Sequence, residues 1–185
     1  MMKALYFLVP IVAGFAFSGC DRTPPLDQKI AADSYLAFEM WRSRTEPDLT
    51  LDQRKDFAAA QWEISSKIIA DRKPADSQDT AETMREQIDG KTIREVLERG
   101  YGLKLARLNA ECTALESFIR HNAERQPVDV ESANYLADWR DQQMSRLTTE
   151  DEQAESTQQK LDLLLGHPHI PHPPLPPLPE SPKPP

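Results

Sequence analysis

The chain has 185 residues, of which 30 are acidic and 22 basic, and its formal net charge is −8 at neutral pH. An acidic surface repels the phosphates of nucleic acids and of anionic lipid headgroups, so we expect neither to be the main partner. Between the leader described next and a proline-rich end, about 140 residues remain, which is enough for one domain with a modest core.

The N-terminal residues have the layout of a secretory leader, in which a basic residue is followed by a short apolar run. The run covers residues 4–17 and is shorter than the roughly 20 residues that a membrane-spanning helix needs. Residues 17–20, Phe-Ser-Gly-Cys, resemble the lipobox of bacterial lipoproteins, with Phe in place of the commoner Leu. We predict a lipoprotein signal peptide over residues 1–19; the alternative is an ordinary signal peptide that is cleaved nearby.

The resemblance to a lipobox implies that Cys20 becomes the mature N-terminus and carries lipid chains. Two or more acyl chains anchor a protein stably to a membrane, whereas one chain does not. Asp21 resembles the residue that, in enterobacteria-like sorting, retains a lipoprotein in the inner membrane. We therefore expect a lipid-anchored protein of the cell envelope that faces the periplasm, with residues 20–25 as a short tether and the inner membrane favoured.

Residues 26–166 have the patterns of an all-α domain. The prolines of this region fall between periodic segments, and no segment alternates apolar and polar residues over the length of a strand. Apolar spacing and capping signals predict helices at about residues 27–44, 50–71, 77–89, 92–122 and 130–147. We expect antiparallel helical hairpins that form a small or elongated bundle.

The fourth predicted helix carries the clearest pattern. It begins with a capping box at residues 92–95, and Gly90 can adopt the left-handed conformation that ends the third helix. Cys112 lies on the apolar side of the fourth helix, so a packing role is favoured over a redox role. Gly100 and Gly102 mark either a kink or a place where another helix comes close. A seam close to a heptad repeat, which needs a partner helix, is formed by Leu97, Tyr101, Leu105, Leu108, Cys112, Leu115, Ile119 and Asn122.

The fifth predicted helix is capped by Asp129, and a second capping signal at Thr148 and Thr149 predicts that the helix restarts there. Residues 150–160 are almost wholly polar, which indicates either a solvated helix or a mobile segment. Four leucines at the end of the region either dock on the body or form an exposed patch for a partner. The apolar side of this helix is assigned to Val130, Leu136, Trp139, Met144 and Leu147, and the closing leucines are Leu161, Leu163, Leu164 and Leu165.

A proline-rich tail occupies residues 167–185, which contain ten of the 16 prolines of the chain. Because proline fixes φ and removes a hydrogen-bond donor, the tail is predicted to be disordered, with an extended polyproline II character. Leu175 and Leu178 are three residues apart and therefore lie on one edge of such a helix, where an aromatic groove of a partner can bind them. The alternative is a solvated tail that binds nothing.

Candidate sites for metal binding or catalysis are few. His167, His169 and His172 are close enough in sequence to bind zinc, copper or nickel, but the intervening prolines restrict how they converge, so no metal site is favoured. His121, near the end of the fourth helix, suits the stabilisation of a helix C-terminus by a cation. The sequence contains no nucleophile elbow, zinc-protease motif or phosphate-binding glycine loop, and we predict neither an enzyme nor a cofactor.

A further resemblance covers about a third of the chain, from Leu49 to about Ala106. The acidic and apolar pattern at residues 51–60 is similar to that of small bacterial lipoproteins that form a family of unknown function. So is the Asp-Gly-Lys-Thr turn at residues 89–92, which opens a long charged helix. These motifs are turn and capping signals, so the resemblance implies a leader and a helical body but no activity, substrate or site residue.

These features predict a membrane-anchored envelope lipoprotein that acts by protein–protein contact, as an adaptor, an assembly factor or a spacer. Its expected partners are the membrane, through the N-terminal lipid, and an envelope protein that the sequence does not identify; self-association is a further alternative. Two other functions stay open: a lysis lipoprotein like that of a phage spanin, and a metal-binding envelope protein that uses the histidines of the tail.

Overall fold

The computed structural model describes residues 23–72, 79–123, 125 and 127–173, and this part of the chain is all-α, as predicted. α4 and α5 pack side by side as an antiparallel hairpin, and α2 packs against the first half of α4, so the predicted helical bundle is confirmed. Two single turns of 3-10 helix, Pro25–Asp27 and Glu46–Asp48, precede α1 and α2. The helices are α1 (Tyr35–Thr45), α2 (Leu51–Asp71), α3 (Thr80–Ile88), α4 (Ile93–Ala123) and α5 (Val130–Leu165).

Hydrogen bonds at the helix starts explain where the helices begin. The Thr50 hydroxyl accepts from the Gln53 amide at 3.2 Å, and the Gln53 side chain accepts from the Thr50 amide at 2.9 Å, which is the capping box of α2. Thr92 and Glu95 form the same reciprocal pair at the start of α4, as predicted. The predicted cap Asp129 accepts a backbone N–H of the first turn of α5 at 2.8 Å.

The helix predicted over residues 27–44 is wrong in its first part, because α1 begins only at Tyr35. The residues before α1 pair instead with the turn between α3 and α4. The Ile30 amide donates to the Lys91 carbonyl at 2.8 Å, and the Gly90 amide donates to the Ile30 carbonyl at 2.9 Å. These distant partners satisfy the backbone groups that a helix would pair internally. Gly90 takes the predicted left-handed conformation, with φ of 70°.

The main hydrophobic core lies in a region that we call the base, which comprises the residues before α1, helices α1 to α3, the first half of α4 and the last turns of α5. Ile64, Ile88 and Ile93 of this core are fully shielded from solvent. Gly100 of α4 lies against Ala60 of α2, and a Cβ atom built on Gly100 would overlap both the side chain and the backbone of Ala60. Of the two predicted explanations for Gly100, the close approach of another helix is confirmed.

The second half of α4 and the first half of α5 form a two-helix region that we call the arm. The predicted seam of α4 is its packing face, although Leu105 and Asn122 are only half-buried. No third helix of the described residues covers this cluster. The buried side chains of the arm are Cys112, Leu115, Ile119 and Leu147.

α5 is one uninterrupted helix of 36 residues, so the predicted restart at Thr148 and Thr149 is wrong. Both hydroxyls donate to carbonyls one turn earlier, at 3.1 and 3.0 Å, instead of capping a new helix. The polar stretch 150–160 is therefore part of this helix, and Ala154 and Thr157 within it are buried.

The last turns of α5 return to the base. Leu161 and Leu164 pack against the core, whereas Leu163 and Leu165 are exposed, so two of the closing leucines dock on the body and two face solvent. α5 ends at Gly166, where φ is 71° and the His167 amide donates to the carbonyl one turn earlier at 2.9 Å. This geometry reverses the chain, so that residues 167–173 run back beside α5.

Candidate functional site

The first described residues and the end of α5 meet at the foot of the base. Arg94, in the first turn of α4, donates to the Asp27 carboxylate at 2.8 Å and to the Leu164 carbonyl at 3.0 Å. The turn between α4 and α5 lies at the opposite end of α4, about 45 Å away for a helix of 31 residues. The predicted lipid site Cys20 and the predicted sorting residue Asp21 lie outside the described residues.

Large apolar side chains are exposed around that turn, on a surface that we call the tip. Four of them are between 51% and 96% exposed: Phe118, Val128, Val130 and Tyr135. The rings of Phe118 and Trp139 meet edge to face, with centroids 5.2 Å apart, so the two aromatic side chains support each other across the hairpin. These five residues define the tip.

A cavity of about 180 Å³ opens beside the tip, between the end of α4 and the start of α5. Its walls include the apolar side chains of Ile119, Leu136 and Trp139, together with Arg125 and Arg140. Aromatic and arginine side chains around an apolar centre are the composition that protein interfaces favour. Since small-molecule sites usually exceed about 300 Å³, the cavity suits a single protruding side chain of a protein partner.

This surface could not be predicted from the seam pattern. Phe118 is next to the buried Ile119 but lies one position off the seam, and Val130 and Trp139 were assigned to the packing side of the fifth helix. The structure leaves Val130 in solvent and Trp139 half-buried. The sequence does contain one indication of the tip: residues 118–139, around the turn between α4 and α5, include more apolar side chains than a single packing seam can bury.

An ion pair and a stacked ring join α2 to α4 in the base. Arg107 donates to both oxygens of the buried Glu63, at 2.7 and 3.3 Å, and its guanidinium lies 5.6 Å from the centre of the Trp62 ring. The hydrogen bonds to Glu63 raise the pKa of Arg107, so the guanidinium stays charged. This arrangement satisfies a buried carboxylate and fixes the register of the two helices.

A second polar contact joins α2, α4 and α5. The Lys160 ammonium lies 2.6 Å from the Asp56 carboxylate, and Tyr101 also bonds Asp56. Burial, with the hydrogen bond to Asp56, raises the pKa of Tyr101, so the phenol stays protonated. Tyr101, Asp56 and Lys160 thus link three helices, and we assign them a structural role.

Cys112 occupies the position in the seam that was predicted for it. Its side chain is buried in the cluster of the arm, so the packing role is confirmed. Burial, followed by the nearby carboxylates of Asp151 and Glu150, raises the pKa of the Cys112 thiol. The thiol is therefore protonated, and a protonated thiol is a poor nucleophile and metal ligand.

The tail histidines do not share a metal site. His169 binds Asp162 and Glu155 through its two ring nitrogens, both at 2.8 Å, and a ring nitrogen of His172 lies 2.8 Å from a backbone carbonyl. Across the described ranges, no group of three or more His, Cys, Asp and Glu side chains, His167 included, is placed to hold a metal ion. The two carboxylates around His169 were not predicted, because they lie on α5 and reach it only after the chain reverses.

Leu175 and Leu178, the predicted partner-binding residues, lie outside the described residues. None of the helices in the described ranges has the length and apolar character needed to cross a membrane. Comparison with protein-family models, with curated proteins and with solved structures gave no match for this chain. The candidate functional site therefore rests on the geometry of the tip.

Proposed function

We propose that this protein is a membrane-anchored lipoprotein of the cell envelope that acts by protein–protein contact, as an adaptor. The observation that carries the proposal is the tip, an apolar and aromatic surface exposed at one end of the molecule. Contiguous exposed apolar surface marks interaction sites in soluble domains. In this proposal the tip binds a protein segment that inserts an apolar side chain into the adjoining cavity.

The position of the tip suits an anchored protein. Asp27 lies at the foot of the base, and the chain that precedes it leads back to Cys20 after only a few residues. A lipid on Cys20 would hold the base close to the bilayer, with the tip available at the far end of α4, about 45 Å away. Asp21 supports the inner membrane as the proposed location.

The proline-rich tail supplies the second contact of the proposed adaptor. Leu175 and Leu178 are its proposed ligand residues, because an extended proline-rich segment presents every third side chain on one edge. The proposal includes no catalytic step and no cofactor. An adaptor of this kind has one contact site on a folded hairpin and another on a linear segment.

Metabolic labelling with a fatty-acid analogue tests the anchor. Cys20→Ser removes the thiol that accepts the lipid, so we expect the label to be lost and the protein to leave the membrane fraction. Cys112→Ser is the matched control, because it removes the other cysteine and leaves the label in place. Equal labelling of both variants would contradict the lipoprotein assignment.

Photo-crosslinking in cells tests the tip. A photoreactive phenylalanine analogue is placed at Tyr135 or, as a control, at Tyr35, which is similarly exposed but lies on the base. We expect one discrete crosslinked protein from position 135 and none from position 35. A form that ends at Gly166 separates the two contacts: a crosslink that persists belongs to the tip, and identical patterns from both positions would reject the tip as the contact site.

A further inference from the structure

The chain folds back on itself after α5. Residues 167–173 run beside α5 toward the arm, and side chains of α5 hold them there. His169 lies between two carboxylates, with Nδ1 2.8 Å from Asp162 and Nε2 2.8 Å from Glu155. The His172 amide donates to the same Glu155 carboxylate, at 3.2 Å from the nearer oxygen. We call this arrangement the clasp.

The geometry of the clasp depends on the charge of His169. A neutral imidazole has one N–H donor and one lone pair, whereas an imidazolium has two N–H donors. Because both ring nitrogens face carboxylate oxygens, both contacts are hydrogen bonds only when His169 is protonated. Loss of that proton would turn one contact into a repulsion between a nitrogen lone pair and a carboxylate.

The charged groups around His169 all favour its protonated form, except for the neighbouring histidines. The hydrogen bond to Asp162, followed by that to Glu155, raises the pKa of His169. His169 in turn lowers the pKa of Asp162, to which Gln158 also donates. Glu116 of α4, Asp151 of α5 and His172 line a cavity beside His169. His167 is the other titratable side chain of residues 167–173, and its charge acts on Asp162.

We propose that residues 167–173 form a pH-dependent clasp, in which protonated His169 holds the start of the tail against α5 and deprotonation releases it. A group that is more basic when folded contributes its full stabilisation below its ordinary pKa, about 6.5 for histidine, and loses it as the pH rises through the folded value. The clasp is therefore closed in mildly acidic surroundings and opens toward alkaline pH. This inference does not require the proposed adaptor function.

Release of the clasp would change the point at which the chain leaves the body and the length of chain that is free. In the closed state the tail leaves the body beside Glu155, whereas in the open state it leaves at Gly166, about 16 Å away along α5. The seven residues freed would add about 20 Å of extended chain. Proton concentration would thus set whether residues 167–173 are held on α5 or released from it.

Cys112 supplies a reporter for the clasp. A cavity of about 450 Å³ lies between α4, α5 and the returning chain, and Cys112 forms part of its wall. Ile170 and His172 line the same cavity from the side of the clasp. Opening of the clasp removes these two residues from the wall, so a reagent in solution should reach the Cys112 thiol faster.

The experiment measures the rate at which a thiol reagent modifies Cys112 in the purified full chain carrying Cys20→Ser, so that one thiol remains. His169→Gln is compared with the parent chain at each pH, because their ratio cancels the pH dependence of the thiol itself. We expect His169→Gln to react several-fold faster at pH 5.5 and at the same rate at high pH. His167→Gln is the control and should match the parent chain throughout.

If His169→Gln and the parent chain react at the same rate at pH 5.5, the proposal is overturned. It is also overturned if the ratio of the two rates does not change with pH. A second measurement follows the ring of His169 by NMR in the same protein, and it keeps the test decisive if His169→Gln disturbs the fold. The titration midpoint should lie above 6.5 and should fall in both Glu155→Gln and Asp162→Asn. The clasp would be rejected by a His169 titration midpoint at or below 6.5, or by a midpoint that neither substitution changes.

Discussion

The base and the arm share the two long helices α4 and α5, but they bury very different sets of side chains. In the base, α2 packs against α4, α3 packs against α2, and the core includes the aromatic residues Phe38, Trp41 and Phe57. In the arm, α4 and α5 have only each other among the described helices. A helix with one neighbour can bury one stripe of side chains, so apolar residues beside that stripe face solvent. The exposed tip follows directly from this two-helix geometry.

The comparison predicts two levels of stability in one chain. Local unfolding needs less free energy where few apolar contacts are lost, so the arm should open while the base stays folded. The substitutions below separate the two regions, in order of decreasing effect.

Ile64→Ala should give the largest loss of stability, because the side chain of Ile64 on α2 is fully buried in the core of the base. We expect a loss of about 2–5 kcal/mol in the free energy of unfolding, measured by urea titration. Ile119→Ala removes an equally buried side chain from the arm and should raise amide hydrogen exchange in the arm alone. If Ile119→Ala accelerates exchange in the base as much as Ile64→Ala does, the two regions are one cooperative unit.

Gly100→Ala and Gly102→Ala should have opposite signs. The new methyl group at position 100 overlaps Ala60 and forces α2 away from α4, at a cost of about 1–3 kcal/mol. At position 102 nothing lies within 4 Å, so the better helix propensity of alanine should stabilise the protein by up to about 1 kcal/mol. Thermal unfolding of both variants measures the difference, and equal shifts would contradict the close contact.

Arg107→Gln should destabilise the base by about 1–2 kcal/mol, since it removes a charge-assisted bond from the buried Glu63. The double variant Arg107→Gln with Glu63→Gln should recover part of this loss, because no unpaired buried charge remains. Chemical denaturation of the two single variants and the double variant gives the coupling between them. Purely additive effects would indicate that the ion pair contributes little.

Tyr135→Ser should have the smallest effect on folding, within about 0.5 kcal/mol, because the side chain is mostly exposed. Under the proposed function it should nevertheless reduce capture of the crosslinked partner, which is measured with the photoreactive analogue at a second position of the tip, Val130. Tyr35→Ser is the control on the base. Unchanged capture in both variants would exclude Tyr135 from the contact.

Features with local causes could be predicted from the sequence. The capping boxes at Thr50 and Thr92, the left-handed Gly90 and the seam of α4 each depend on residues within a few positions of one another. The extended segment at Ile30 could not be predicted, because its hydrogen bonds come from a turn about sixty positions later. The carboxylate partners of His169 could not be predicted either, since the sequence does not reveal which side chains of α5 it meets.

The closure of the base has a consequence for how the chain becomes folded. Leu161 and Leu164 pack against the same core as Ile30, and Lys160 pairs with Asp56, so the core is completed by residues synthesised far apart in time. Contacts of such large sequence separation form late in folding. A nascent chain would therefore carry an open core until residue 164 has emerged, and the base could close only after nearly all of α5 has been made.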